Sequence, residues 1–151
     1  MAVSGNDTEV FEQPATTPAD IHVRSLELDT GPGVAREARL FVDDALTAWH
    51  MGSQRDDALL IVSELATNAY RYDGPHMIVD LRRDHESLFI GVEDGSTSSP
   101  PNAPIDPDNG SESGRGLAIV AAVAQSWGIA TTLAGKQVWA RLDIIDRRSS
   151  A

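Results

Sequence analysis

From residue 22 the chain alternates between polar and apolar positions, with Val23, Leu26 and Leu28 as the apolar members, and this predicts a short strand over 22–29. Gly31-Pro32-Gly33 breaks the chain. Val34, Ala38, Phe41, Ala45 and Trp49 then recur at spacings of three and four, with Val42 and Leu46 widening the stripe, which predicts a helix from about Pro32 to Met51. Gly52-Ser53 ends it. Ser53 is placed as the N-cap of a second helix running to about Tyr72, with Asp56 and Asp57 at the positive end of its dipole. Ala58, Ile61, Val62, Leu65 and Ala69 form the buried stripe of that helix, and Asp73-Gly74-Pro75 stops it.

Two alternating segments follow, Met77 to Arg83 and Leu88 to Glu93, and predict a hairpin around Asp84-His85-Glu86-Ser87. The stretch from Gly95 to about Ser113 is dominated by Ser, Pro, Asn and Asp. Connections of that length are functional lids or disordered segments. It ends at Gly114-Arg115-Gly116, which opens an apolar helix from Leu117 to about Gln125. A closing hairpin pairs Trp127–Ala134 with Val138–Ile145 across Gly135-Lys136, and Val138, Ala140, Leu142 and Ile144 mark one face. Residues 1–20 show no periodicity and are expected to be a disordered acidic tail, with a frayed end over 147–151. One folded domain over 21–146 remains. Its element order is strand, two helices, two strands, lid, helix, two strands, which makes an α+β sandwich.

Charge narrows the function. The 151 residues carry a formal net charge of -11, from 23 acids against 12 Lys and Arg. Asp7, Glu9, Glu12 and Asp20 lie in the first twenty residues, where no base occurs. Such a field repels phosphate backbones and argues against general nucleic-acid binding. The chain has no cysteine, which excludes disulfides, thiolate zinc sites and cysteine nucleophiles. His22, His50, His76 and His85 are scattered without metal-ligand spacing. No segment approaches the roughly 18 apolar residues of a membrane span, and the start lacks the regions of a signal peptide. A soluble cytoplasmic protein without a membrane partner is expected.

Three constellations carry candidate chemistry. In Ser63-Glu64-Leu65-Ala66-Thr67-Asn68-Ala69-Tyr70-Arg71, helical geometry places Glu64, Asn68 and Arg71 along one border of the apolar stripe. That border is either an ordinary polar edge or a place where Asn68 gives an oxygen to a hard cation and Glu64 takes a proton from a nucleophile. Arg71 either neutralises phosphate charge or pairs with Glu64 or Asp73. In Val92-Glu93-Asp94-Gly95, Asp94 alternates onto the apolar face, where its carboxylate needs donors. It either caps the strand end or accepts from the exocyclic amine of a ligand base, with Gly95 allowing close approach. In Ser113-Gly114-Arg115-Gly116-Leu117, glycines at a helix start either make a turn or expose backbone N–H groups to phosphate. The segment is not a dinucleotide fingerprint, since Ile119 stands where the third glycine belongs, and there is no Walker A motif, since no glycine precedes Gly135-Lys136 at the right spacing and a strand follows it.

Taken in order, Glu-x-x-x-Asn on a helix, Asp-Gly ending a strand, a polar lid, Gly-x-Gly opening a helix and a closing hairpin resemble the Bergerat ATP-binding fold of gyrase and the sensor histidine kinases. Leu60-Ile61-Val62-Ser63-Glu64-Leu65-Ala66-Thr67-Asn68-Ala69, Gly114-Arg115-Gly116-Leu117 and Gly135-Lys136-Gln137-Val138-Trp139 look like the stand-alone anti-sigma serine kinases, especially actinobacterial ones. The resemblance spans about Val23 to Ile144. It implies a two-layer sandwich, with helices on one face of a mixed, mostly antiparallel sheet and a mobile ATP lid.

By that resemblance the cofactors are ATP and Mg²⁺, with Asn68 as the Mg²⁺ ligand and Glu64 as the general base. Asp94 would read the adenine amino group, which implies selectivity for adenine. Arg71, Gly95, Gly114, Arg115, Gly116 and Leu117 would complete the nucleotide site. The implied activity is phosphorylation of a serine on a small antagonist protein, together with sequestration of a sigma factor, and a homodimer is compatible with it. The chain departs from the family pattern at Tyr72, where His is common, at Ser96, where Gly is usual, and at Gln137, where a hydroxyl residue is expected near the adenine. The alternative is an ATP-binding or ATP-independent partner-binding module without kinase activity.

Overall fold

A computed structural model describes residues 21–71, 76–95, 112–133 and 135–144, with only the backbone of 112–115. The expected tail over 1–20, the 147–151 end, Tyr72, Ser96 and most of the expected lid lie outside the described residues.

Five strands, β1 (His22–Asp29), β2 (His76–Arg83), β3 (Ser87–Asp94), β4 (Ser126–Thr131) and β5 (Lys136–Asp143), form one sheet in the order β1-β2-β3-β5-β4. Among the described residues every pairing is antiparallel, so the mostly antiparallel sheet that was expected has no parallel pair there. Three helices, α1 (Val34–Ala48), α2 (Arg55–Arg71) and α3 (Glu112–Val123), cover one face. The expected α+β sandwich is the architecture found. Among the described residues, no helix is long and apolar enough to cross a membrane.

Alternation explains which face is covered. Met77, Val79 and Leu81 of β2, Leu88, Ile90 and Val92 of β3, and Val138, Ala140 and Leu142 of β5 all point to the helices and are buried. They meet Val34, Ala38, Val42, Ala45 and Leu46 of α1 and Ala58, Ile61, Val62, Leu65, Ala66 and Ala69 of α2 in one core. The core is mostly aliphatic, as the scarcity of aromatics requires. Helix α2 lies between α1 and α3 and also packs on β3 and β5. This makes α2 the element from which a side chain reaches both the sheet and α3.

Both ends of α1 and the entry to α2 differ from the sequence expectation. Helix α1 starts at Val34 behind Gly33, not at Pro32. It stops at Ala48 because the N–H of Met51 donates to Leu46 O (2.9 Å) and that of His50 to Thr47 O (3.2 Å). That is a Schellman stop with His50 in the left-handed region at φ 57°, a place usually given to glycine. Ser53 is not a helix N-cap but lies in a 3-10 turn, Gly52–Gln54, that leads into α2. There Arg55 is bound by Asp43 of α1 (2.7 Å), and its hydrogen bond and charge hold the Asp43 carboxyl below the usual carboxylate range.

The β2–β3 turn is held by Asp84, whose carboxylate accepts from the N–H groups of Glu86 (2.8 Å) and Ser87 (2.9 Å). Partial burial pushes its pKa up, but these hydrogen bonds outweigh that and leave it lowered. Asp84 therefore supports the turn above the ordinary carboxylate pKa, and that support fades as pH falls through its lowered value.

The left-handed His50 leads to a first expected result. His50→Gly relieves the Cβ clash of that conformation, and should raise the stability of the free protein by about 0.5–1 kcal/mol. A denaturant midpoint that falls would show that the His50 ring, not its backbone, matters there.

Candidate functional site

The central helix α2 carries the first group of candidates. Its apolar stripe must face the sheet, and this fixes the rotation of every other residue on it. Asn68 falls at the edge of the stripe and is 5% exposed. Its Oδ1 is buried and accepts no hydrogen bond from any described residue. Leaving such an oxygen without a donor costs about 1–3 kcal/mol. Glu64, one turn earlier, is half-buried, and its neighbour Ser63 accepts a hydrogen bond from Arg39 of α1 (2.9 Å). Arg71 is exposed in the last turn of α2, so it shares the helix but not the burial of Asn68.

Helix α3 begins at Glu112, earlier than Leu117, so Gly114, Arg115 and Gly116 lie inside its first turns and do not precede it. The N–H groups without intrahelical partners are therefore those of the first turn, Glu112–Arg115. Gly116 has another part. A Cβ at Gly116 would lie 2.8 Å from Glu64 Oε1, so the glycine is what lets the Glu64 carboxylate rest against α3. Leu117 next to it is buried in the core, and its side chain packs there. Two motifs far apart in the chain, one on α2 and one on α3, are thus in contact.

Asp94 ends β3 on the helix-facing side and is 1% exposed, as alternation predicted, with Gly95 half-buried after it. It is not waiting for a ligand donor alone. Lys136 Nζ donates to Asp94 Oδ2 at 2.9 Å, and Lys136 is itself 3% exposed. The sequence pattern sets Lys136 in the turn of the closing hairpin. The structure puts it first in β5, paired with Asp94 on one side and Thr131 on the other. The signal was present, because counting back in twos from Leu142 through Val138 reaches Lys136 on the buried face. The reverse correction applies to Gln137. It lies on the uncovered face, where its Nε2 donates to Asp80 (3.2 Å), so Lys136 and not Gln137 is the residue of the closing hairpin that faces Asp94.

The arrangement is a half-buried carboxylate against a helix start, an orphaned carboxamide oxygen one turn away, and a buried acid–base pair at the strand end. An unpartnered neutral oxygen suits a hard cation such as Mg²⁺, which takes one or two protein oxygens and keeps phosphate and water for the rest. Asn68 fits that demand. Residues 30–142, about three quarters of the chain, match the family model of the histidine kinase-like ATPase domain. No curated protein matches the chain.

Proposed function

The chain belongs to the histidine kinase-like ATPase domain family and so carries an ATP-binding module, and we propose that it is a regulatory protein serine kinase of the anti-sigma type. One observation supports this above the others. The Glu64 carboxylate lies against Gly116 of α3 and one helical turn from the orphaned Asn68 oxygen. That juxtaposition suits phosphoryl transfer, in which Glu64 would be the base for the nucleophile, and a cation held at Asn68 together with the first-turn N–H groups of α3 would compensate phosphate charge.

In this proposal the first-turn N–H groups of α3 bind the phosphates, aided by the helix dipole. Asn68 gives Mg²⁺ its protein oxygen, and the bound cation supplies neutralisation of phosphate charge. Glu64 takes the proton from the serine hydroxyl of a small antagonist protein as it attacks the terminal phosphate. That serine oxygen gains the phosphoryl group, and ADP leaves. Asp94 reads the base. Sequestration of a sigma factor belongs to the same proposal and rests on the resemblance alone.

A second reading, an ATP-binding or ATP-independent partner-binding module without transfer, is favoured by the engagement of Asp94 by Lys136. Incubation with γ-labelled ATP, Mg²⁺ and small proteins co-purified from the native cell separates the two. Label on a serine of one such protein supports the kinase. Nucleotide bound without label transfer supports the module.

The Glu64–Gly116 contact adds a sharper expectation. An added methyl in Gly116→Ala must displace the Glu64 carboxylate, which can swing away at little cost because it ends a flexible side chain. Alanine also favours the helix over glycine by about 1 kcal/mol. The variant should therefore melt no lower than the wild type while losing transfer activity. A variant that keeps full transfer would show that the position of Glu64 against α3 is not used.

A further inference from the structure

The helices cover one face of the sheet, and among the described residues no element covers the other. On that open face, cross-strand pairing sets Val23, Arg82, Phe89 and Arg141 in one row. Trp139 stands beside the row, lies over Gly128 and stacks on Phe89 at a centroid distance of 6.0 Å. Arg82 lies over the other ring, 5.5 Å from the Phe89 centroid. The two rings and two guanidiniums, with Asp84 and Ser87, line a cavity of ≈ 250 Å³. Pockets for drug-sized ligands run to about 300–1,000 Å³, so this one suits a side chain. Both arginines are exposed, and among the described residues neither forms an ion pair. The neighbouring acids are engaged already. Asp80 accepts from Ser25 and Gln137, Asp84 from its turn, and Asp143 also has a partner.

We propose that this face is the docking surface of the chain's own residues 9–12, with Phe11 seated at the Phe89 and Trp139 rings and Glu9 and Glu12 beside Arg82 and Arg141. The charges are complementary, because the first twenty residues hold four acids and no base, and Val10-Phe11 lies between two of those acids. The place of entry also fits. His22 pairs with Arg83, so the chain joins the sheet at the end where the cavity lies. From β1 to β5 is three strand spacings, roughly 14 Å. Residues 12–21 reach about 30 Å when extended, which is ample. A short tether also supplies an effective concentration in the millimolar range, so a shallow site suffices. This inference is independent of the nucleotide proposal.

Paramagnetic broadening in the full chain tests it. The sequence has no cysteine, so Thr8→Cys places a single nitroxide label next to residues 9–12. Docking should erase the Trp139 indole signal and the Phe89 and Arg141 amide signals. Asp29 and His76, at the other end of the sheet, should keep theirs. Phe11→Ser, which alters no described residue, should restore the lost signals, and so should Arg82→Glu with Arg141→Glu. Signals that survive in the labelled chain, that vanish equally at both ends of the sheet, or that stay lost in either variant overturn the proposal. Loss in a mixture with nitroxide and isotope on different chains shows that a second copy supplies the segment, and overturns docking within one chain.

Discussion

Glu64→Ala is expected to lower phosphoryl transfer by about 10²–10⁴-fold, the usual contribution of a positioned general base. It should leave the affinity for Mg²⁺-ATP unchanged, since a base acts on the nucleophile and not on the nucleotide. The side chain is half-buried and touches α3 at Gly116, so truncation removes a carboxylate from a space that a glycine already keeps open. Single-turnover transfer to the cognate serine protein, measured beside calorimetric binding, gives the two quantities separately. Transfer at the wild-type rate with a genuine partner would remove Glu64 from the chemistry. Loss of binding together with transfer would instead make Glu64 part of the nucleotide site.

Asn68→Leu should divide stability from function in the opposite way. The free protein carries a buried oxygen without a hydrogen-bond donor among the described residues, and a leucine, which has the same branching, removes that burden. The free variant should therefore be as stable as the wild type, or more stable by on the order of 1 kcal/mol. Its Mg²⁺-dependent nucleotide affinity should fall about 100-fold, because the cation loses its protein oxygen. Thermal melts in the absence and presence of Mg²⁺-ATP measure both effects, since a bound ligand raises the melting point by mass action. An equal ligand-induced shift in variant and wild type would show that Asn68 Oδ1 holds no cation. A sharp fall in the stability of the free variant would mean that Asn68 serves the fold.

Most of the architecture was legible in the order of residues, and particular elements show why. The alternation from His22 marked β1 with the bounds the structure shows, and the spacing of Ala58, Ile61, Val62, Leu65 and Ala69 marked the buried side of α2. Both signals are local, because a strand or a helix repeats its facing every two or about 3.6 residues whatever it packs against. The misreadings came where one residue could serve two local purposes. His50 ends α1 in a conformation that sequence reasoning assigns to glycine, so the stop was placed at Gly52-Ser53. The glycines at 114 and 116 are expected to open a helix that starts at Leu117, and they prove to lie within α3.

Glu64, Asn68 and Asp94 were named as candidates from residue type and facing alone, since a polar side chain on the border of an apolar stripe is visible without a structure. That Glu64 rests on Gly116, and that Lys136 reaches Asp94 from 42 positions away, could not be seen in this way. The first contact requires α3 to pack beside α2. The second requires β5 to lie between β3 and β4 in a register that sets Lys136 opposite Asp94. Local periodicity decides which side of an element is buried. Which buried sides meet is a property of the whole chain, set by the one packing in which the apolar faces of α1, α2, α3 and the sheet close on a common core.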